Sequence, residues 1–213
     1  MTWVKTLNVS GNKIKMLPAL PPHLTTLEAS RNVGIDLGPL PESLEILSVE
    51  ATELRELPVL PPNLIYLQAT RCRLKFLSTL PNSLNTLILN HNDLRALPEI
   101  LPMELAKLHI ASNPRLTVLP ELPYKLMWLN IGNCSIKKLP MSFKTDKMWV
   151  HLTGCASLDE DSKSRIRSAP VDTRLTLKIG PDHETNRFAQ EGAGRTGFNG
   201  IVTGRRILYP NQF

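Results

Sequence analysis

The chain has 213 residues, of which 42% are hydrophobic and only 5% aromatic, and its formal net charge is +6. No apolar run is long enough for a membrane-spanning helix, and the opening MTWVKTLNVS lacks the continuous apolar stretch of a secretory signal peptide. The positive excess is mild and spread along the chain, and by itself it does not argue for nucleic acid as the partner.

From the fourth residue the sequence repeats. Units begin at Val4, Leu24, Leu44, Leu64, Leu84, Leu105, Leu126 and, more weakly, Lys147, with a period of 20 residues that lengthens to 21 in the later units. Each unit follows LxxLxVxxNxLxxLPxLPxx. Positions 4 and 6, such as Leu47 with Val49 or Leu87 with Leu89, alternate and so share one side of a short strand. Positions 11 and 14, such as Leu74 and Leu77, turn inward again. Prolines at positions 15 and 18 fix φ and remove amide donors, which predicts an extended, polyproline-like return path. One unit cannot bury its own leucines, but stacked units bury them together. The pattern predicts an α/β-type repeat: a curved leucine-rich-repeat solenoid with a parallel concave β-sheet and an extended convex side. It occupies residues 1–168 in about eight units of 20–22 residues.

In chain order, the first unit has only Trp3 ahead of it to cover its leucines. The second, RNVGIDLGPL, is irregular: Gly34 stands at position 11, Ile35 comes one place late, and Gly38 replaces the position-15 proline. Units five and six each carry an extra residue, near Ile100 and Pro114. Position 9 holds Asn12, Asn32, Asn92 and Asn113, but also Thr52, Cys72, Cys134 and Cys155. A side chain there should turn inward and bond to backbone groups. The three thiols are accordingly expected to be buried and reduced, without disulfide or metal. After Cys155, SLDEDSKSRIRSAP predicts a cap helix over 158–167. Ser157 is its candidate N-cap, acidic residues fill its first turn, and Arg165 and Arg167 sit in its last. Leu158 and Ile166 would cover the last open leucines. Residues 169–213 form a tail in which TRLTLKIG predicts a short strand over 173–179. The glycine-rich remainder reads as flexible.

LPALPPHLTTL, LPVLPPNLIYL and LPELPYKLMWL resemble the repeats of bacterial type III secreted effectors of the YopM and IpaH kind. VHLTGCASLDEDSKSRIR is similar to the closing strand and helix of such domains. The resemblance implies secretion by a bacterium into the host-cell cytoplasm and binding of a host protein. In IpaH-type members the repeats select a substrate, and a separate C-terminal ubiquitin ligase domain acts through a cysteine in a CxD motif. No cysteine follows Cys155 here, and CAS is not CxD. The resemblance therefore implies a non-enzymatic protein-binding module. The alternative is the substrate-recognition part of an IpaH-type ligase whose catalytic domain is absent from this chain. YopM-type members carry no ligase domain, which suits this length better, although their helical leader has no counterpart before Val4.

No Gly-rich phosphate loop, GxSxG or HExxH occurs, so no catalytic residue, cofactor or metal is expected. The sequons at Asn8 and Asn133 fall on or beside predicted strands and are read as chance. Asp182-His-Glu in the tail is read as incidental. Function should lie in the variable positions. Positions 3, 5, 7 and 8 point away from the core onto the concave face. The candidate partner-binding residues are Tyr66, Arg71, His91, Lys107, His109, Trp128, Trp149 and His151, side chains of the kinds that anchor protein interfaces. Trp128 and Trp149 share one column in consecutive units, so their rings should lie about 5 Å apart, near strand spacing. Position 12 forms a basic edge of Lys15, Arg55, Lys75, Arg95 and Lys137. It reads either as a solvated ridge eased by Glu53, Glu56 and Asp93, or as an edge facing an anionic partner.

Overall fold

The computed structural model describes residues 3–144, 148–168 and 175–176. Eight three-residue strands recur once per unit: β1 (Thr6–Asn8), β2 (Thr26–Glu28), β3 (Ile46–Ser48), β4 (Tyr66–Gln68), β5 (Thr86–Ile88), β6 (Lys107–His109), β7 (Trp128–Asn130) and β8 (Trp149–His151). A two-residue β9 (Leu175–Thr176) follows the single helix α1 (Glu160–Arg167). All nine strands pair in parallel in sequence order. Each unit thus lies beside its neighbours in sequence, which makes the fold a leucine-rich-repeat solenoid.

Strands β2 to β8 bury their central residue and turn their flanking residues outward, and Leu7 of β1 is partly buried. Leu27, Leu47, Leu67 and Leu87 are fully buried, while position 6 adds Val49, Leu89, Ile110 and Ile131 to the same core. The Pro-rich segment closes each unit with a turn, in which the position-1 amide donates to a proline carbonyl three residues back. Examples are Leu24 to Pro21 at 3.1 Å, Leu44 to Pro41 at 3.0 Å and Leu105 to Pro102 at 3.1 Å. The outer wall stays extended, and short bridges join it at Met16–Asp36 and Val118–Lys138.

In six of the eight units position 9 stitches the unit to the one before it, and Asn12 and Thr52 bond within their own units. The Asn32, Asn92 and Asn113 amides donate to the Val9, Ala69 and Leu89 carbonyls at 2.9, 2.8 and 3.1 Å. The thiols of Cys72, Cys134 and Cys155 donate to the equivalent carbonyls of Val49, Ile110 and Ile131 at 3.0, 3.2 and 3.0 Å. Burial raises all three thiol pKa values, that of Cys155 to about 11. At neutral pH they are protonated weak donors, which suits this bond and not nucleophilic chemistry.

Position 8 takes a left-handed backbone in every unit, from Gly11 to Gly154, including Arg31 (φ 60°), Arg71 (φ 57°) and His91 (φ 55°). This turn directs each amide at the next unit: Arg31 N–H to Glu50 O at 2.7 Å, Arg71 N–H to Asn90 O at 3.0 Å. The irregular second unit is repaired in a similar way. Gly34 at φ 72° lets Ile35 return to the core, where it is 3% exposed. Unit six uses the same bond pattern: Ile35 N–H donates to Asn32 O, and Leu116 N–H to Asn113 O.

The two ends differ from expectation in detail. Trp3 is 86% exposed and gives the first unit no cover. The N-cap of α1 is Asp159, not Ser157, and its carboxylate accepts the Ser162 amide at 2.8 Å. Leu158 and Ile166 are buried against the last repeat. The Ser162 hydroxyl accepts the Leu139 amide at 2.9 Å. The Arg165 guanidinium donates to the carbonyls of Leu139, Pro140 and Phe143 at 3.2, 3.0 and 3.1 Å. Both side chains complete backbone groups that a further repeat would otherwise meet. Of the predicted strand 173–179 the structure describes Leu175 and Thr176, which extend the sheet past β8. The rest of the 169–213 tail lies outside the described residues.

Candidate protein-binding face

Strand register builds the face. Thr6, Thr26, Ile46, Tyr66, Thr86, Lys107, Trp128 and Trp149 align in one row across β1 to β8. Two places along each strand, Gln68, Ile88, His109, Asn130 and His151 form a parallel row. Six of the eight candidate residues, Tyr66, Lys107, His109, Trp128, Trp149 and His151, therefore stand on strands of one surface. Arg71 and His91 stand at its lip, on the left-handed turns that follow β4 and β5.

Trp128 and Trp149 stack with ring centroids 5.2 Å apart and an interplanar angle of 13°. Both are half-buried. Lys107 precedes them in the row and is exposed. The neighbouring row brings His109 and His151 alongside, separated by Asn130. Burial first, then the charges of Lys107 and His151, lowers the His109 pKa. Burial alone lowers that of His151. Gly132 makes room for His151, since a Cβ there would meet the imidazole Cδ2 at 2.9 Å. At neutral pH this end of the face offers stacked indoles, neutral imidazoles and one lysine.

The other end is polar and acidic. The Tyr66 hydroxyl donates to Gln68 Oε1 at 2.9 Å, and Gln68 Nε2 donates to Glu50 at 3.1 Å. Asn8 Nδ2 holds Glu28 at 2.6 Å. Burial, and after it the carboxylates of Glu50 and Glu28, raises the Tyr66 pKa. Glu50, Gln68 and Gly132 are not among the candidates named from the sequence, although they occupy its outward positions 5 and 7. Positions 5 and 7, taken together with position 3, carry the signal that would have found them.

The basic edge is less continuous than its spacing suggested. Ile35 aligns with Lys15, and Thr117 with Lys137, through the bridges of the outer wall. Only Arg55, Lys75 and Arg95 stand in consecutive units, and Arg95 N–H bonds to Lys75 O at 3.1 Å. Arg73 joins them and pairs with Glu53 at 2.8 Å. Lys15 instead donates to the Val33 carbonyl at 2.7 Å. Among the described residues no group of His, Cys, Asp and Glu is placed to hold a metal, and no helix is long and apolar enough to cross a membrane.

The solenoid is similar to the leucine-rich-repeat domain of a Shigella effector, with a TM-score of 0.70 and 30% identity over 80% of this chain and 80% of that one. It is similar to the leucine-rich effector YopM from Yersinia pestis, with a TM-score of 0.56 and 29% identity over 71% of this chain and 49% of that one. YopM from Yersinia enterocolitica gives a TM-score of 0.51 and 34% identity over 71% of this chain and 40% of that one. The chain thus spans less than half of either YopM structure. No family model matches the sequence, and no curated protein matches it.

Proposed function

Because this chain belongs to the leucine-rich-repeat family of bacterial type III secreted effectors, we propose that it acts in the host cell by binding a host protein on its concave face, without chemistry of its own. The observation that carries this reading is the Trp128–Trp149 stack, framed by Lys107, His109 and His151. Indoles bring large apolar area and little conformational entropy to an interface, and neutral imidazoles add hydrogen bonds without a charge to desolvate. The acidic groups Glu28 and Glu50 at the far end give the face a direction, so a partner would lie across the strands in one orientation.

The test is affinity capture from host cytosol, with bound proteins identified by mass spectrometry. A protein retained by the parent chain should be lost from the Trp128→Ala, Trp149→Ala double variant, while the melting temperature stays within a few degrees. Retention of that protein by the double variant would place the site elsewhere.

A second reading is favoured by the match to the Shigella domain, which aligns over most of both chains. Here the same face selects the substrate of an IpaH-type ubiquitin ligase. Ubiquitin loading by the full-length gene product separates the two readings.

A further inference from the structure

The strands are all parallel, so every loop leaving the sheet lies on one edge and every loop approaching it on the other. The leaving loops carry Arg55, Arg71, Arg73, Lys75 and Arg95, interleaved with Glu50, Glu53, Glu56 and Asp93 in the same units. The approaching loops carry Glu42, Glu45 and Glu104 beside Lys5 and Lys125. On the basic edge a depression of about 220 Å³ is lined by Arg55, Arg73, Lys75 and Asp93. Arg73 is paired with Glu53, but among the described residues Arg55, Lys75 and Arg95 make no ion pair.

The backbone under this depression is also distinctive. Outside position 8, the left-handed non-glycine residues among those described are Glu53 (φ 59°), Arg55 (φ 63°) and Arg73 (φ 59°). Glu56 N–H reaches back to Leu54 O at 2.7 Å, closing a three-residue turn around Arg55. That turn is rare and unfavourable for a residue with a Cβ. The chain therefore holds Arg55 beside Arg73 and Lys75 against backbone preference.

We propose that this depression is a phosphoryl-recognition site, and that its ligand is a phosphorylated side chain of a partner protein. A phosphoryl group is small, nearly doubly charged and has three acceptor oxygens, which matches convergent guanidinium and ammonium donors. Arginine clusters are a recurring way of reading phosphorylated segments. A nucleic acid or an anionic membrane would instead use an unbroken cationic track. Here Glu53 and Asp93 interleave the cations, and Ile35 and Thr117 interrupt the column on either side. The proposal does not depend on the tryptophan surface, because its probes address only the basic edge.

The experiment follows backbone amide shifts of the full chain during titration with a degenerate phosphoserine peptide pool. Parallel titrations use the unphosphorylated pool, poly-uridylate, and vesicles of phosphatidylserine with phosphatidylcholine. The phosphorylated pool should move the amides of Arg55, Glu56, Arg73 and Lys75 in a saturable way, and the unphosphorylated pool should not. Arg55→Gln with Lys75→Gln should weaken binding by about tenfold or more, as loss of charge-assisted bonds requires. Lys5→Gln, on the opposite edge, should leave it unchanged. Arg55→Lys keeps the charge but not the planar fork, and should fall between the two. Unmoved amides in the parent chain, equal binding of the unphosphorylated pool, or tighter binding of poly-uridylate or vesicles would overturn the proposal. Parent-like affinity in the double variant would do the same.

Discussion

The first and seventh repeats place leucine at the same strand position and bury it differently. Leu7 in β1 is only partly buried, whereas Leu129 in β7 is 2% exposed. Val4, Val9 and Ile14 are likewise partly buried, and Asn12 is exposed. At the other end Leu158, Ile166, Phe143 and Met148 close the stack, and Ser162 and Arg165 complete its backbone. In a one-dimensional stack, then, a leucine contributes according to its neighbours and not according to its place in the motif.

The largest test of that difference is a matched truncation. Leu129→Ala should cost about 2–5 kcal/mol in denaturant unfolding, as a fully buried large-to-small change does. Leu7→Ala should cost less than half as much. Equal losses would mean that the first repeat is as well packed as the seventh.

A smaller test removes one bond from the closed end. Ser162→Ala strands the buried Leu139 amide and should cost about 1–3 kcal/mol. Amide exchange should then speed up in the last two repeats and stay unchanged in the first two. An effect spread evenly over all eight would show that the cap stabilises the stack as a whole and does not act as a local lid.

The smallest effect uses pH. His109 and His151 both lie in the later repeats, and both have lowered pKa values. The unfolded chain therefore takes up protons first as pH falls below about 6.5, so these groups contribute stability above that value and lose it on acidification through their folded pKa. Acid should narrow the gap between the two ends. His109→Asn should flatten the dependence of melting temperature on pH in the window just below about 6.5. A variant that melts with the parent's pH profile would remove His109 from this account.

The strand register was legible because leucine recurs at a fixed period, and a fixed period allows only one alignment of columns. The stacked tryptophans followed from that alignment directly. Side-chain destinations at the ends did not. Ser157 and Asp159 are equally good caps by type, and burial of Leu158 between them decides that the helix starts after Asp159. Arg165 reads as a charge favouring the negative end of a helix. It instead serves three carbonyls of the last outer turn, a demand visible only once the stack ends. Trp3 stands in sequence where a cover is needed, but nearness in sequence does not set the direction of its side chain. In the basic column, Ile35 takes position 12 of unit two, in line with Lys15, and the extra residue of unit six brings Thr117 into line with Lys137.

The distribution of tryptophan has an optical consequence. The chain has three, Trp3 at one end and the Trp128–Trp149 pair at the other. Two indoles stacked at 5.2 Å couple their transition dipoles, which splits their near-ultraviolet circular dichroism, while an exposed indole fluoresces at long wavelength with little dichroism. The unmodified protein thus carries two distinguishable reporters. A ligand that wedges between or covers the stacked rings would change the dichroism and leave the Trp3 emission unaltered.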